Sequence, residues 1–202
     1  MHRLILCLVT ALFLSSLAAP AAGEKGSQRG PLVGQLLVAS PSIGDPHFAN
    51  TVILMVEQSP NGALGIAINR PLGDQSATSV LDAIGIHDKK ASGTIRLYAG
   101  GPVEPQLGFI LHSPDYKTAD TQMLAKGIAL TTTPEIIHDI ARKKGPQQTL
   151  VAFGYVGWGP GQLDAEIARH DWASAPADAK LVFVTERGEV WRIAWGRRMI
   201  GL

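Results

Sequence analysis

Ten residues constrain this chain more than any others: Gly154-Tyr155-Val156-Gly157-Trp158-Gly159-Pro160-Gly161-Gln162-Leu163. Four glycines and a proline stand there among two large aromatic residues. The apolar run 150–153 leads in, and the helix-like stretch 162–169 leads out. This reads as a buried strand, a glycine-rich corner and a helix start. Glycine serves where φ is positive or where two backbones approach closely. A helix entrance also leaves free N–H groups that suit an anion or a carbonyl. A packing device and a ligand cradle both fit this composition, with packing the commoner use.

Two phosphate-binding signatures fail at the corner. A phosphate loop needs Lys-Ser or Lys-Thr after its glycines, and none follows. Gly157-Trp158-Gly159 begins a dinucleotide fingerprint, but Gln162 occupies the place of its third glycine.

The chain has 202 residues, enough for one domain with a real core. Its 46% apolar and 17% charged content marks it as globular. Eighteen basic residues face seventeen acidic ones, so binding nucleic acid through bulk charge is not expected. Residues 1–22 run basic, then apolar, then small, the order of a secretory signal. The expectation is a periplasmic or secreted protein without a stable membrane anchor after cleavage, or a cytoplasmic one if the start is misassigned. Residues 23–31 form a polar, glycine-rich lead-in, and 32–202 form the domain. Cleavage would remove Cys7, the single cysteine, and with it disulfide, thiol and cysteine–metal chemistry.

Along the domain, 32–39 and 51–57 read as strands around a loop broken by Pro41, Gly44 and Pro46. Ser59-Pro60-Asn61-Gly62 has the chemistry of a turn, and 63–69 returns as a second hairpin strand. Ser76 or Thr78 caps a short helix that Gly85 closes. Residues 95–99 and 107–112 are strands joined through Gly100-Gly101-Pro102, and a further strand ends near 132. Thr133-Pro134-Glu135 predicts a capped helix start, with Gly145 as its end. Residues 181–185 read as a strand, and 189–199 as a helix in preference to an alternating strand. Hairpin neighbours alongside helical crossovers point to a mixed α+β fold.

Candidate chemistry is sparse. Asp45, His47, His112 and Ser113 could supply a Ser-His-Asp set, but no G-x-S-x-G elbow is present, and Asp45-Pro46 is also an ordinary turn starter. No two histidines stand four apart, which excludes a helical zinc motif, and no metal or other cofactor is expected. Arg70 follows a buried strand, where its guanidinium could grip a carboxylate or phosphate, or hold a loop through carbonyl contacts.

Four blocks resemble the YqgE/AlgH family: Ala39-Ser40-Pro41 with Asp45-Pro46-His47-Phe48; Gly62-Ala63-Leu64-Gly65 with Asn69-Arg70-Pro71; Gly100-Gly101-Pro102-Val103; and Gly154 to Leu163 with Glu166-Ile167 and Trp172. The resemblance spans residues 32–202 and implies a single compact α+β domain, a barrel-like mixed sheet surrounded by helices. It implies much less about activity. Some members are labelled regulators of transcription, without a DNA-binding motif that carries over here. This chain departs from the family in its signal-like extension, which is at odds with a direct role in transcription, and in His170, where asparagine is common.

The leading expectation is a non-enzymatic binding or regulatory protein. Its ligand or partner surface would lie near Asp45, Arg70, Gly100, Gly101, Gly157, Trp158 and Gln162, and would take an unidentified protein or a small anionic ligand. The alternative is a hydrolase or other enzyme acting on a small anionic substrate, with Arg70 as clamp and Asp45 or His47 as acid/base.

Overall fold

A computed structural model describes residues 32–199. The expected signal and most of the lead-in lie outside those residues. Ten strands follow in chain order: β1 Gln35–Ala39, β2 Val52–Ser59, β3 Gly62–Ala67, β4 Pro71–Ser76, β5 Thr94–Ala99, β6 Val103–His112, β7 Gln122–Ala125, β8 Ile128–Thr131, β9 Thr149–Trp158 and β10 Trp172–Pro176. Four helices accompany them: α1 Ala77–Ala83, α2 Glu135–Ala141, α3 Gln162–Ala168 and α4 Arg187–Gly196.

The main sheet path is β10-β1-β2-β3-β9-β6-β8-β7, with β5 alongside β9 and β4 alongside β5. All pairings are antiparallel except β5–β9, so the fold is mixed α+β as the residue pattern predicts. Leu36 from one end of the sheet shares a core cluster with Leu124 and Ile128 from the other, so the sheet curls into half a barrel.

Strand periodicity builds both faces. Leu36 and Val38 of β1 enter the inner cluster with Val190 and Ala194 of α4, while Leu37 and Ala39 enter the outer one beneath Leu163 of α3. A third cluster packs α1 and α2 on Ile95, Ile110 and Val151.

The predicted hairpin is present as β2 and β3, and Ser76 caps α1 through the Ser79 N–H at 3.0 Å. The strand expected near 132 is β8, which forms a hairpin with β7. The C-terminal helix expected over 189–199 is α4.

Three local readings are corrected. Residues 181–185 are not a strand: Lys180–Val184 is a π-helical turn, with Asp178 Oδ1 accepting from the Leu181 N–H at 2.8 Å and Leu181 and Val182 buried. Thr133 does not cap α2, because its hydroxyl donates to Asp120 Oδ1 at 3.3 Å. Gly154 to Trp158 is not a corner but the second half of β9, and the turn is confined to Gly159–Gly161.

Candidate functional site

The strand β9 changes partners halfway along. Up to Phe153 it lies parallel to β5, and from Val156 it pairs antiparallel with β3. Gly154 turns the strand between these halves with φ of 72°. Gly100 fills the fork: its N–H donates to Phe153 O at 2.7 Å, and its carbonyl accepts from the Ala67 N–H at 2.8 Å. A Cβ on Gly100 would lie 2.2 Å from Gly154 O, and one on Gly101 would lie 2.0 Å from the Tyr155 carbonyl carbon. These glycines let two backbones touch.

A sheet that forks leaves a crevice outside the diverging strand ends. Here it is a cleft of about 520 Å³. Phe48, Ala67, Ala99, Pro102 and Val156 give it apolar lining, and Asp45, His47, Thr51 and Arg70 supply the polar groups. Three of the seven candidate residues, Asp45, Arg70 and Gly101, therefore line one cleft.

Residues 45–51 form a strap over this cleft. Pro46–Phe48 is a single 3₁₀ turn, whose cap is Asp45. Asp45 Oδ1 accepts from the His47 N–H at 2.9 Å and stands 2.9 Å from His47 Nδ1. The backbone bond from His47, followed by the ring contact, holds the Asp45 carboxyl below its usual range. An ionised carboxylate only accepts, so Nδ1 donates in this contact, and Nε2 makes no hydrogen bond among the described residues. Arg70 clasps the strap. Its Nη2 donates to His47 O at 2.7 Å and Ala49 O at 3.1 Å, and meets Thr51 Oγ1. Asn69 completes the clasp, accepting from the Val52 N–H at 2.9 Å and donating to Asn50 O at 2.8 Å. Among the described residues, Arg70 has no carboxylate partner, and its Nε and Nη1 make no hydrogen bond.

The remaining candidates lie elsewhere. Gly157 pairs with Leu64 within the sheet and is not in the left-handed region; a Cβ there would meet the Tyr155 ring at 3.2 Å. Trp158 is buried, and its indole donates to Glu166 Oε2 at 2.8 Å, as does that of Trp172 at 2.8 Å. Gln162 donates to Glu166 Oε1 at 2.8 Å and accepts from the Gly159 N–H at 3.1 Å. One carboxylate thus ties two tryptophans to α3. A second cleft, of about 400 Å³, reaches Gln162 and Glu166 from Asp45 and Phe48.

His112 does not join Asp45 and His47. It is fully buried, with Nδ1 donating to Ser113 O at 2.8 Å and Nε2 accepting from Thr131 Oγ1 at 3.0 Å. Burial pushes its pKa down. His138 is half-buried and meets Asp88 Oδ2 at 3.0 Å beside Arg142. Among the described residues no cluster of three or more His, Cys, Asp or Glu could hold a metal ion.

The residue pattern shows the Asp45 and Arg70 positions, because Pro and Gly mark the strap and Asn-Arg-Pro marks a strand end. It does not show Thr51, Ala99 or Val156 as cleft-lining residues, since they belong to ordinary strand sequence and only the fork places them at the cleft wall.

The sequence pattern of a family described as AlgH-like matches residues 36–201. A UPF0301 protein of Methylococcus capsulatus is 47% identical over 161 residues, covering 80% of this chain and 88% of that one. The solution structure of the AlgH protein from Pseudomonas aeruginosa superposes with a TM-score of 0.70 at 34% identity, covering 84% of this chain and 91% of the other. A crystal structure of protein DIP2367 from Corynebacterium diphtheriae gives a TM-score of 0.66 at 25% identity, covering 86% and 91%. The chain belongs to the AlgH-like, UPF0301 family.

Proposed function

We propose that this protein is a non-enzymatic binding protein whose site is the cleft beneath the 45–51 strap. The ligand is small, with an apolar body and an anionic edge. One observation carries the reading: Arg70 stands at an apolar-lined cleft with two unused donors and, among the described residues, no carboxylate partner. A guanidinium in such a place is suited to a ligand carboxylate or phosphate. Asp45 and Gly101 shape the same cleft, while Gly100 holds the fork open behind it.

A screen of small aromatic and aliphatic carboxylates by ligand-observed NMR tests this reading. Arg70→Gln should remove the anion contact, and Ala99→Phe should fill the cleft. Hits that bind the parent and are lost with both variants support the site. Hits indifferent to both variants sink it.

The Asp45–His47 pair favours a second reading, a hydrolase in which Nε2 of His47 acts as base beside Arg70. Activated carboxylic and phosphate esters separate the two: turnover abolished by His47→Ala with melting unchanged would replace the binding reading. Nucleic-acid binding should be weak, given the balanced charge; submicromolar, salt-sensitive DNA binding at physiological salt would refute this. Export is the reading of residues 1–22, and N-terminal sequencing of protein from fractionated cells tests it.

A further inference from the structure

We infer that a different cleft, on the opposite side of Arg70 between the strap and the start of α4, is an oxyanion site that takes a phosphate group. This cleft measures about 550 Å³ and is lined by Asn50, Asn69, Arg70, Glu186, Arg187 and Gly188 among others. The inference does not rest on the ligand proposed for the first cleft.

Arginine pairing singles the place out. Arg96, Arg142, Arg169, Arg192 and Arg197 each meet a carboxylate: Asp74, Asp88, Asp171, Glu189 and Asp178 respectively. Among the described residues, Arg70 and Arg187 have no such ion pair, and both line this cleft. Arg198, also without one, lies instead over the Trp195 ring.

Arg187 is half-buried. Its Nη1 donates to Val182 O at 2.8 Å and Ile68 O at 3.3 Å, its Nη2 meets Thr185 O, and its guanidinium lies 5.9 Å from the centre of the Tyr98 ring. Carbonyls and a ring face orient a cation, but they leave its net charge in place. Burial draws the Arg187 pKa below its usual value, against the opposing pull of the Tyr98 hydroxyl and the Glu186 carboxylate.

An anion entering the cleft would answer both cations at once. Three guanidinium nitrogens make no hydrogen bond among the described residues, Nε and Nη1 of Arg70 and Nε of Arg187; a carboxylate has two oxygens to meet them, whereas a phosphate presents three terminal oxygens and up to two charges. The one carboxylate lining the cleft belongs to Glu186, whose Oε2 accepts from the Gly188 N–H at 2.8 Å. It is exposed and can swing away, so it acts as an internal competitor for the incoming phosphate.

Titration of the isotope-labelled full chain with inorganic phosphate tests the site. Chloride holds the ionic strength constant, and a parallel series uses phenyl phosphate. Saturable shifts are expected at the Asn50 and Gly188 amides and at the Arg187 Nε–H, with a millimolar Kd. Arg187→Lys should weaken binding about tenfold through loss of the Nε–H donor. Glu186→Gln should tighten it roughly fivefold by removing a like charge. Since Arg187 also holds carbonyls and its variant can misfold, the exposed Glu186 position is the decisive arm. Tighter binding of phenyl phosphate marks an organic phosphate as the ligand, and equal binding marks the free ion. The inference is overturned by no saturation at about 50 mM phosphate, by a Kd unchanged in Glu186→Gln, or by shifts confined to Phe48, Ala99 and Gly101. That last outcome would place the anion in the first cleft.

Discussion

Two glycine- and aromatic-bearing regions of this molecule use their polar groups in opposite ways. Around α3, Glu166 takes the indole N–H groups of Trp158 and Trp172, and Gln162 links that carboxylate to the backbone of Gly159. The donors and acceptors answer one another. Under the 45–51 strap, Arg70 engages the loop through one nitrogen only and leaves two unused, while His47 keeps Nε2 free. The denser motif thus builds the scaffold, and the plainer one keeps, among the described residues, unused hydrogen-bonding groups. Specific sequence marks whatever constrains geometry most, and here that is tryptophan packing beside a forked strand.

The largest test of this contrast lies at the fork. In Gly101→Val the added carbons would overlap Tyr155 and Val156 backbone atoms that cannot rotate aside. The cost should exceed about 5 kcal/mol, the lower end of native stability at roughly 5–15 kcal/mol. Denaturant unfolding should find the variant largely unfolded; a melt like the parent's would mean the fork is slack. Gly157→Val should be far milder, because its Cβ meets a tyrosine ring that can yield and its φ is ordinary.

Next comes the α3 network. Trp158→Ala should cost about 3–5 kcal/mol through lost burial and a cavity. Glu166→Ala leaves two indole N–H groups without their acceptor and should cost about 2–3 kcal/mol. If both variants melt normally yet lose a ligand, the α3 network belongs to the site and the contrast fails.

Arg70→Ala should cost less, about 1 kcal/mol, because it removes hydrogen bonds from a half-buried clasp without opening the core. The effect should be local: faster amide exchange over residues 47–51, with β2 and β3 protected as before. Global destabilisation matching that of Trp158→Ala would make Arg70 part of the scaffold.

How much of this was legible in the sequence follows from how local each cause is. The β2–β3 hairpin showed because Pro60-Asn61-Gly62 sets its own turn. β4 did not, since Pro71, Gly73 and Asp74 are poor strand formers; Gly73 sits at a bulge with φ of 120°, and the strand is held by pairing with β5 and by the Asp74–Arg96 ion pair. β10 was also missed: Trp172 to Pro176 is a strand because β1 offers it a partner far away in sequence. Val182, Phe183 and Val184 carry strand propensity, but burial of Leu181 and Val182 in the inner cluster overrides it. In the candidate site, Asp45, Arg70 and Gly101 could be named from turn and strand-end chemistry. Arg187 could not, because nothing in Glu186-Arg187-Gly188 says that this charge will be half-buried.

The smallest expected effect separates two histidines. His112 sits in a closed network: Thr131 Oγ1, its partner, also bonds Thr121 Oγ1 at 2.8 Å. His47 stands open at the strap with its ring 89% exposed. Burial lowers the His112 pKa, so near pH 6 the unfolded chain binds a proton at this position that the folded chain refuses. Stability from this group is therefore full above the unfolded value of about 6.5 and falls as pH drops from there towards the lowered folded value. The carboxyls of Asp45, Asp74, Asp88, Asp115 and Asp120 are held below the usual carboxylate range and act in a separate, more acidic window. Denaturant unfolding at pH 7.5 and pH 5.5 should show a loss in the parent that shrinks in His112→Gln, whatever that variant's absolute stability, and persists in His47→Ala. The slope is the readout, because replacing a buried histidine also changes packing. A slope that follows His47 instead would make the open pair the structural one and reverse the comparison.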